Sequence, residues 1–501
     1  MENKKHINMY NAIKKLLLAL PFILVIGVSR QWDNDTYWIV KTGEHIVNNG
    51  IPTKDFLTMH TNMDLVVQQW LSDVIFYKLY AWFGVAGPII LASVMYIIIL
   101  LLIYKLHNLL NTGKLMQAIS ATCSAVILFS FAVTRPQIFS YAIILTEIIC
   151  LESFVKNGKW QYLIPLPFLA VLEVNLHASM FTMLFIIMMP YIANSLPLKI
   201  KGKIISCCKL LPLIITAAAM IVGGFLTPYG IKGMSFIFTT SIGDKVNSDI
   251  SELEPITLSK DNLLFLIAII FVIVCYCIYL KKSKSAAPLR YHLLIIGTLI
   301  MALAYKKLFP YFLIAGVTTA SSLIQNYKIP IREKFKDKKF SRVIGSEIFI
   351  AIIVIFTVAI TVTHYSFINS DNIVNDQTEK EYIEKFDSAL SVLNNEDKNT
   401  MVLYNGFNTG AYLEFNDYTT YIDPRADSFV IEANHDFDYL TEYTNFKNGT
   451  LYYKNFAKKY NFTHFFIDKG TESAVYTLLK NDGDYTLLYE NDEFAIFKTI
   501  R

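Results

Sequence analysis

The sequence Gln31-Trp32-Asp33-Asn34-Asp35-Thr36-Tyr37-Trp38 follows the first apolar run of the chain, Leu16 to Val28. It places two carboxylates, Asp33 and Asp35, where a membrane helix would meet water. Lys14-Lys15 precede the run and further apolar runs follow it, so we interpret the run as an anchoring span rather than a cleaved signal. The chain therefore begins with a span that leads into an acidic loop.

Composition indicates the class of protein. Hydrophobic residues make up 54% of the 501 residues and charged residues 17%, below the quarter that is typical of soluble proteins. Residues 366–501 hold 12 Lys or Arg and 23 Asp or Glu, whereas the preceding residues hold 33 and 18. We expect a polytopic membrane protein whose basic body and acidic tail face different environments, with membrane lipids and not nucleic acid as partners.

By the rule that a span needs about 20 apolar residues, we predict about 11 transmembrane helices, some of them short or kinked. Their approximate bounds are 13–30, 84–104, 115–134, 137–155, 161–174, 178–196, 210–227, 262–280, 289–305, 308–326 and 343–364. Lys and Arg concentrate in alternate connections, which places the N-terminus and those connections in the cytoplasm. The first long loop, the Arg135 turn, Lys306-Lys307 and the acidic tail then lie outside.

Two domains are predicted. Residues 1–365 form a transmembrane domain whose first outer loop, 31–83, contains two interfacial helices, and residues 366–501 form a small extracytoplasmic α/β domain. In the loop, one helix begins after Asp35 or Thr36 as N-cap and ends at Asn49-Gly50, and a second covers Leu65 to Phe83.

The tail pattern alternates between helix and strand. Helices are predicted near 379–393, 434–460 and 472–480, and strands near 401–404, 419–422 and 464–467, with a final hairpin of 485–489 and 494–498. All six cysteines of the chain lie inside or beside apolar runs, so the tail has no disulfide framework. Cys207-Cys208 has no His or Cys partners at metal-binding spacing and is typical of small apolar residues.

Asp33 and Asp35 are candidate catalytic residues. Group transfer from a lipid-phosphate substrate needs a base for the attacking group, and a carboxylate that is partly desolvated at the bilayer surface gains basicity. The pair could instead hold a divalent cation such as Mg or Mn. Aspartates in an interfacial loop can equally serve solubility alone.

Several cationic and polar residues lie near the predicted outer ends of the spans. Arg135 in a tight outer turn can bind a phosphate bidentately, and Lys306 and Lys307 lie outside against the charge rule. Snorkelling of these cations to the interface is the alternative. Polar groups at membrane depth usually face a cavity, and the candidates for lining one are Gln69, Asn175, His177 and Tyr229. The alternatives are a hinge at 173–177 that reaches water and a plain turn at 227–230.

The order of these motifs resembles a bacterial family of multi-span glycosyltransferases of the GT-C type, related to the protein mannosyltransferase-like group. The matching segments are Asp33 to Trp38 with Thr42-Gly43, Ile51-Pro52 with Asp55, Gln69 to Asp73, Arg135-Pro136-Gln137, Asn175-Leu176-His177 and Pro228-Tyr229-Gly230. In the tail, Tyr404-Asn405, Gly410 to Leu413 and Ile422 to Asp427 resemble that family's outer domain. The resemblance runs nearly end to end.

The resemblance implies an inverting enzyme of the cell envelope. Such an enzyme takes a sugar from a polyprenyl-phosphate-linked donor and passes it to a surface glycan, glycolipid or protein acceptor. The catalytic role falls on Asp33 or Asp35, and Arg135, His177 and the Lys306-Lys307 pair match positions that would line the donor cavity.

The chain departs from the family pattern at three positions. The family has His at the position of Ile39, Glu at that of Gln69 and Asn at that of Thr227. The departures at Ile39 and Gln69 favour a second hypothesis, a non-catalytic carrier or scaffold for lipid-linked glycans in a surface-polymer assembly. A carrier is expected to have an inverted repeat, which this sequence does not show.

Overall fold

The computed structural model describes residues 18–22, 32–128, 131, 133–200, 203–205, 207–240, 254–259, 262–282, 287–325 and 381–500. The chain divides into two compact units. The helical unit comprises Met1–Gln31, Phe83–Met234 and Asn247–Thr361, and the mixed unit comprises Trp32–Trp82, Ser235–Val246 and Val362–Arg501. The first long loop thus clusters with the tail. The predicted span 343–364 and most of the span 13–30 lie outside the described residues.

Helices dominate the described chain up to residue 325. In order, α1 to α11 are Asn34–Asn49, Trp70–Phe83, Ala86–Leu109, Lys114–Leu128, Gln137–Asn157, Pro165–Leu176, Phe181–Ser195, Leu210–Gly224, Gly230–Thr240, Leu263–Lys282 and Leu289–Ala304. A π-helix, Phe312–Val317, then leads into α12, Thr318–Gln325. Two short antiparallel strands, β1 (Leu198–Ile200) and β2 (Lys203–Ile205), lie between α7 and α8.

Several of the described helices are suited to a membrane. Three are long and apolar enough to cross one: α3, α5 and the stretch Ala178–Ser195 that contains α7. Shorter apolar helices accompany them, among them Leu210–Gly224 and Leu289–Ala304. Phe168 and Leu211 are 67% and 68% exposed, as expected of side chains that face lipid. The helical membrane class is therefore confirmed, and the count of about 11 spans stays a prediction.

Helix α1 begins two or three residues earlier in the acidic stretch than predicted. Asp33 is the N-cap, since its Oδ1 accepts a hydrogen bond from the backbone N–H of Asp35 at 3.0 Å. The predicted caps, Asp35 and Thr36, lie inside the helix because the earlier aspartate already satisfies an N–H of the first turn. The helix ends before Gly50, whose φ of 90° favours glycine, as the sequence predicts.

The tail is built on a four-stranded sheet in the order β3-β4-β6-β5. The strands are β3 (Leu403–Asn405), β4 (His464–Asp468), β5 (Tyr485–Glu490) and β6 (Phe494–Thr499). The β3–β4 pair is parallel and the other two pairs are antiparallel. The predicted strands near 401–404 and 464–467 and the final hairpin are confirmed.

The predicted strand at 419–422 does not form. Thr420 makes a single bridge, to Thr58 of the first loop. The side chain of Asn405 accepts from the Tyr421 N–H and donates to the Ile422 carbonyl, both at 2.7 Å. Tyr421 and Ile422 therefore bond to a side chain, and the backbone of Thr420 bonds to Leu57 and Met59 of the first loop.

Apolar cores cover both faces of the sheet. Four tail helices, α13 to α16, are Phe407–Phe415, Tyr439–Lys447, Tyr453–Tyr460 and Ser473–Lys480, so the predicted stretch 434–460 is two helices. Phe465 and Phe497 pack with residues of α14, α15 and α16 in one core, and Phe466 packs with the helix at 381–393 in the other. This alternation follows from the pleat of the strands. Met63 of the first loop is fully buried in the first core.

Candidate functional site

A cavity of about 410 Å³ lies in the helical unit where four segments of the chain meet. These segments are residues 131–141 at the start of α5, the junction of α6 and α7, the start of α10, and the connection that follows α11. The lining residues are Phe131, Val133, Gln137, Tyr141, His177, Ser179, Met180, Phe265, Lys306, Lys307 and Tyr311. Three predicted site residues, His177, Lys306 and Lys307, are thus brought to one cavity.

The cations at this cavity have different surroundings. Lys306 Nζ is 2.9 Å from Oε2 of Glu254, and its backbone N–H donates to the Glu254 carbonyl at 3.1 Å. The charges of Lys307 and Arg135 both act on the His177 ring, so Arg135 lies close to the cavity without lining it. The N-terminal end of α5, which begins at Gln137, adds a partial positive charge. This part of the unit is suited to an anion.

Hydrogen bonds fix the ring of His177. Ser140 Oγ donates to Oε1 of Glu173 at 2.5 Å and lies 2.8 Å from Nδ1 of His177. Because the Ser140 hydroxyl donates to Glu173, its oxygen accepts the Nδ1–H of His177. The Nε2 atom is then the acceptor nitrogen of the ring. The ring thus has a defined orientation at the cavity wall.

Sequence reasoning missed Ser140 and Tyr141. A signal was present, because these residues follow Gln137 at i+3 and i+4 and therefore share its face of α5. Tyr141 packs edge-on against Tyr311, with ring centroids 5.6 Å apart. Extending the Arg135-Pro136-Gln137 motif by one helical turn would have identified this face.

Asn175 and Tyr229 do not line this cavity. The Asn175 amide donates to the carbonyls of Val171 and Leu226 at 2.7 and 2.9 Å, which ties α6 to the segment after α8. Tyr229 lies in a turn in which the N–H of Gly230 donates to Thr227 at 3.0 Å. The turn predicted at 227–230 is confirmed.

The aspartate pair lies at the start of α1 in the mixed unit. Asp33 caps the helix, and Asp35 occupies the first turn, where the helix dipole favours a negative charge. The neighbouring Asn34 donates to a backbone oxygen of α13 at 3.1 Å. Trp32 packs edge-on against Phe415 of the same helix. Contacts with the tail therefore position the acidic stretch.

The pair supplies few ligands for a divalent cation. One oxygen of Asp33 already caps α1, and within the described ranges no group of three or more His, Cys, Asp or Glu side chains is arranged to hold a metal. Two carboxylates hold Mg²⁺ only together with waters and substrate phosphates. Any cation here would have to be completed by the substrate, and no chemical step is assigned to it.

Gln69 and Gly43 belong to the contact between α1 and α2. Gln69 donates to Oδ1 of Asp73 at 3.2 Å. Asp73 is fully buried, and burial raises the pKa of its carboxyl well above the usual range. A Cβ at Gly43 would lie 2.0 Å from the Asp73 carbonyl oxygen. Glycine is therefore required for the two helices to pack this closely.

A buried ion cluster joins the first loop to the tail. Nη1 of Arg425 is 2.8 Å from Oδ1 of Asp55, and its Nη2 is 2.5 Å from Oδ2 of Asp423. Thr58 donates to Asp55 through its N–H and its hydroxyl, at 2.8 and 2.6 Å. Burial by itself would raise the pKa of the Asp55 carboxyl. The Arg425 charge and these hydrogen bonds together outweigh burial and hold that pKa below its usual value. Asp423 and Arg425 thus form a structural ion pair.

Comparison with known protein families and with curated proteins finds no match. Solved structures of an archaeal oligosaccharyltransferase do match. The Archaeoglobus fulgidus oligosaccharyltransferase tethered with an acceptor peptide containing the NVT sequon has a TM-score of 0.55 at 12% identity, covering 97% of this chain and 74% of that one. The same organism's oligosaccharyltransferase AglB with an inhibitory peptide and a dolichol-phosphate gives 0.54 at 12% identity over 96% and 74%. The likeness shows that the chain has a GT-C type fold.

Proposed function

We propose that this chain is a multi-pass plasma-membrane glycosyltransferase of the inverting kind. It would transfer a sugar from a polyprenyl-phosphate-linked donor to a glycan, lipid or protein acceptor at the outer face of a bacterial cell. The N-terminus would lie in the cytoplasm and the tail, residues 366–501, outside. The peptide and the dolichol-phosphate in the similar archaeal structures support a protein acceptor and a lipid-phosphate donor.

The proposal rests on the cavity of the helical unit. It gathers His177, Lys306 and Lys307 beside the N-terminal end of α5. Cations and a helix N-terminus stabilise phosphate oxygens. Phe131 and Phe265 add apolar surface, which suits the isoprenoid part of a donor. A lipid phosphate is a ligand that combines both properties.

Four of the candidate residues have a chemical role in this proposal. The acceptor atom attacks the anomeric carbon of the sugar while Asp33 or Asp35 takes its proton. The bond between that carbon and the phosphate oxygen breaks, and the lipid phosphate leaves with the electron pair. Lys307 and Arg135 stabilise the charge that develops on the phosphate. A single displacement of this kind inverts the anomeric configuration.

The base is tested by Asp33→Asn and Asp35→Asn in membranes that contain the full-length protein, a polyprenyl-phosphate sugar and an acceptor. Asn caps a helix as well as Asp does, so Asp33→Asn removes the charge and keeps the start of α1. Loss of a general base reduces the rate by about 10²–10⁴-fold, and we expect that loss in one of the two variants. Product is measured by mass spectrometry. Full activity in both variants contradicts the role.

The donor cavity is tested by Lys307→Met and Lys306→Met in the same assay. Glu254 neutralises part of the Lys306 charge, so we expect a modest effect of Lys306→Met. A lost charge-assisted hydrogen bond costs about 1.5–3 kcal/mol, which raises KM for the donor by about tenfold or more at Lys307. Lys398→Met, an exposed lysine of the tail, is the control. An unchanged donor KM in both cavity variants contradicts the assignment.

The second hypothesis, a carrier or scaffold for lipid-linked glycans, is favoured by Ile39 and Gln69. The Gln69 side chain holds Asp73 in the packed contact between α1 and α2, which is a structural role. The same assay separates the hypotheses. A wild-type protein that binds the lipid-linked sugar and never transfers it would be a carrier.

A further inference from the structure

Two adjacent thiols, Cys207 and Cys208, lie between β2 and α8, and their Sγ atoms are 3.3 Å apart. The Ser195 hydroxyl at the end of α7 is 3.4 Å from the Cys207 sulfur and 3.0 Å from the Cys208 sulfur. The backbone N–H of Cys207 donates to the Asn194 carbonyl at 2.9 Å. The pair is therefore fixed to the end of a helix, and both residues are partly exposed.

A buried cation lies near the pair. Arg290, in the first turn of α11, donates to both carboxylate oxygens of Glu152, at 2.8 and 3.1 Å. Its charge also acts on both thiols. Hydrogen bonds from Cys208 and Ser195 lower the pKa of Cys207 to about 6. The lowered pKa of Cys207 favours its thiolate, which is the reactive form of cysteine.

We propose that Cys207 and Cys208 form a dithiol site that captures a trivalent metalloid or another soft, thiol-seeking ion through both sulfur atoms. Thiolates select soft ions. Two bonds of about 2.3 Å, the length of a zinc–sulfur bond, to one central atom span the gap between the two sulfurs with little movement. The site is independent of the cavity and of the aspartates in the proposed transferase.

Capture of an organic arsenoxide illustrates the chemistry. Two As–S bonds form and the two S–H bonds are lost. The oxygen bound to arsenic leaves as water, which carries both protons. The oxidation state of arsenic is unchanged, so the step needs no oxidant or reductant.

The chain contains a matched control thiol. Cys277 is exposed on α10, and its nearest cysteine in sequence, Cys275, is two positions away. Residues at that spacing point to different sides of a helix, so Cys277 binds through one sulfur only. A single As–S bond exchanges readily with an added monothiol, whereas a chelate does not.

The test exposes the purified full-length protein to phenylarsine oxide and then to excess 2-mercaptoethanol, and measures retained arsenic by intact mass. We expect one retained arsenical per wild-type chain. Linking two binding groups raises affinity by about 10²–10⁴-fold, so C207S and C208S should each retain about a hundredfold less. C277S should retain as much as the wild type. Equal retention by C207S, C208S and wild type overturns the proposal.

A second measurement needs no variant. The bound arsenical should protect Cys207 and Cys208 of the wild-type chain from alkylation by a maleimide and leave Cys277 reactive, as read by peptide mass mapping. Alkylation of Cys207 and Cys208 at the unprotected rate overturns the proposal even where a serine variant fails to fold.

Discussion

Replacing Arg425 with Met should destabilise the mixed unit strongly. Arg425 neutralises Asp55 and Asp423, whose side chains are fully buried. Removing one partner of a buried ion pair costs about 3–5 kcal/mol, because the remaining charge stays buried without a counter-charge. Two carboxylates lose their partner here, so we expect the upper end, about 5 kcal/mol. This is comparable with the whole stability of a small domain, about 5–15 kcal/mol.

Two variants calibrate this value. Asp55→Asn leaves the bridge between Arg425 and Asp423 in place, and we expect a loss of about 3 kcal/mol. Lys41→Met removes exposed pairs, since its partners Glu44 and Asp417 are 38% and 74% exposed. Exposed pairs contribute about 0–1 kcal/mol. The predicted order of destabilisation is therefore Arg425→Met, then Asp55→Asn, then Lys41→Met.

The assay is urea unfolding of the full-length protein in detergent, followed by tryptophan fluorescence. The chain has five tryptophans. Trp32, Trp38, Trp70 and Trp82 belong to the mixed unit, and Trp160→Phe removes the signal of the helical unit. The fluorescence then reports the unit that contains Arg425. Equal shifts of the unfolding midpoint in Arg425→Met and Lys41→Met would refute the reasoning.

Three further predictions use the same unfolding assay. Burial lowers the pKa of His60 from 6.5 to about 4, so between these pH values His60 is protonated in the unfolded chain and neutral in the folded chain. The free energy of unfolding should therefore fall by about 3 kcal/mol as the pH drops from 6.5 to 4, and His60→Gln should remove this dependence. Gly43→Ala should cost about 1–3 kcal/mol through overpacking against Asp73, whereas Gly483→Ala, with open space around its Cβ position, should cost less than Gly43→Ala. Asp33→Ala should cost about 1 kcal/mol through loss of the α1 cap and Asp33→Asn almost nothing, and equal losses in the two variants would contradict the capping role.

Local signals and contacts between separate segments decided different parts of the fold. Local patterns predicted that α1 ends at Gly50, and they predicted the hairpin of β5 and β6, because those signals depend on neighbouring residues. The segment 419–422 is rich in β-branched residues, which favour a strand. The strand does not form because Tyr421 and Ile422 bond to the Asn405 side chain and the backbone of Thr420 bonds to the first loop.

The candidate site divides in the same way. Charge and polarity at helix ends pointed to His177, Lys306 and Lys307 one residue at a time, and only the family resemblance implied that they share a donor cavity. Their meeting in one cavity depends on how α5, α7, α10 and α11 pack. The ion pair between Lys306 and Glu254 could likewise not be predicted from the sequence, because the two residues are separated by about 50 positions and meet only in the folded chain.

The sequence alone determined that this is a membrane protein with an acidic stretch after its first apolar run, because composition and short periodic patterns set those features without reference to the rest of the chain. Only the tertiary structure decided that the first loop folds with the tail. Met63 enters the tail core, and Asp55 binds Arg425 across hundreds of residues of intervening chain. Contacts between residues so far apart in sequence require the chain between them to form a very long closed loop. A local sequence pattern does not indicate which distant residue will be the partner.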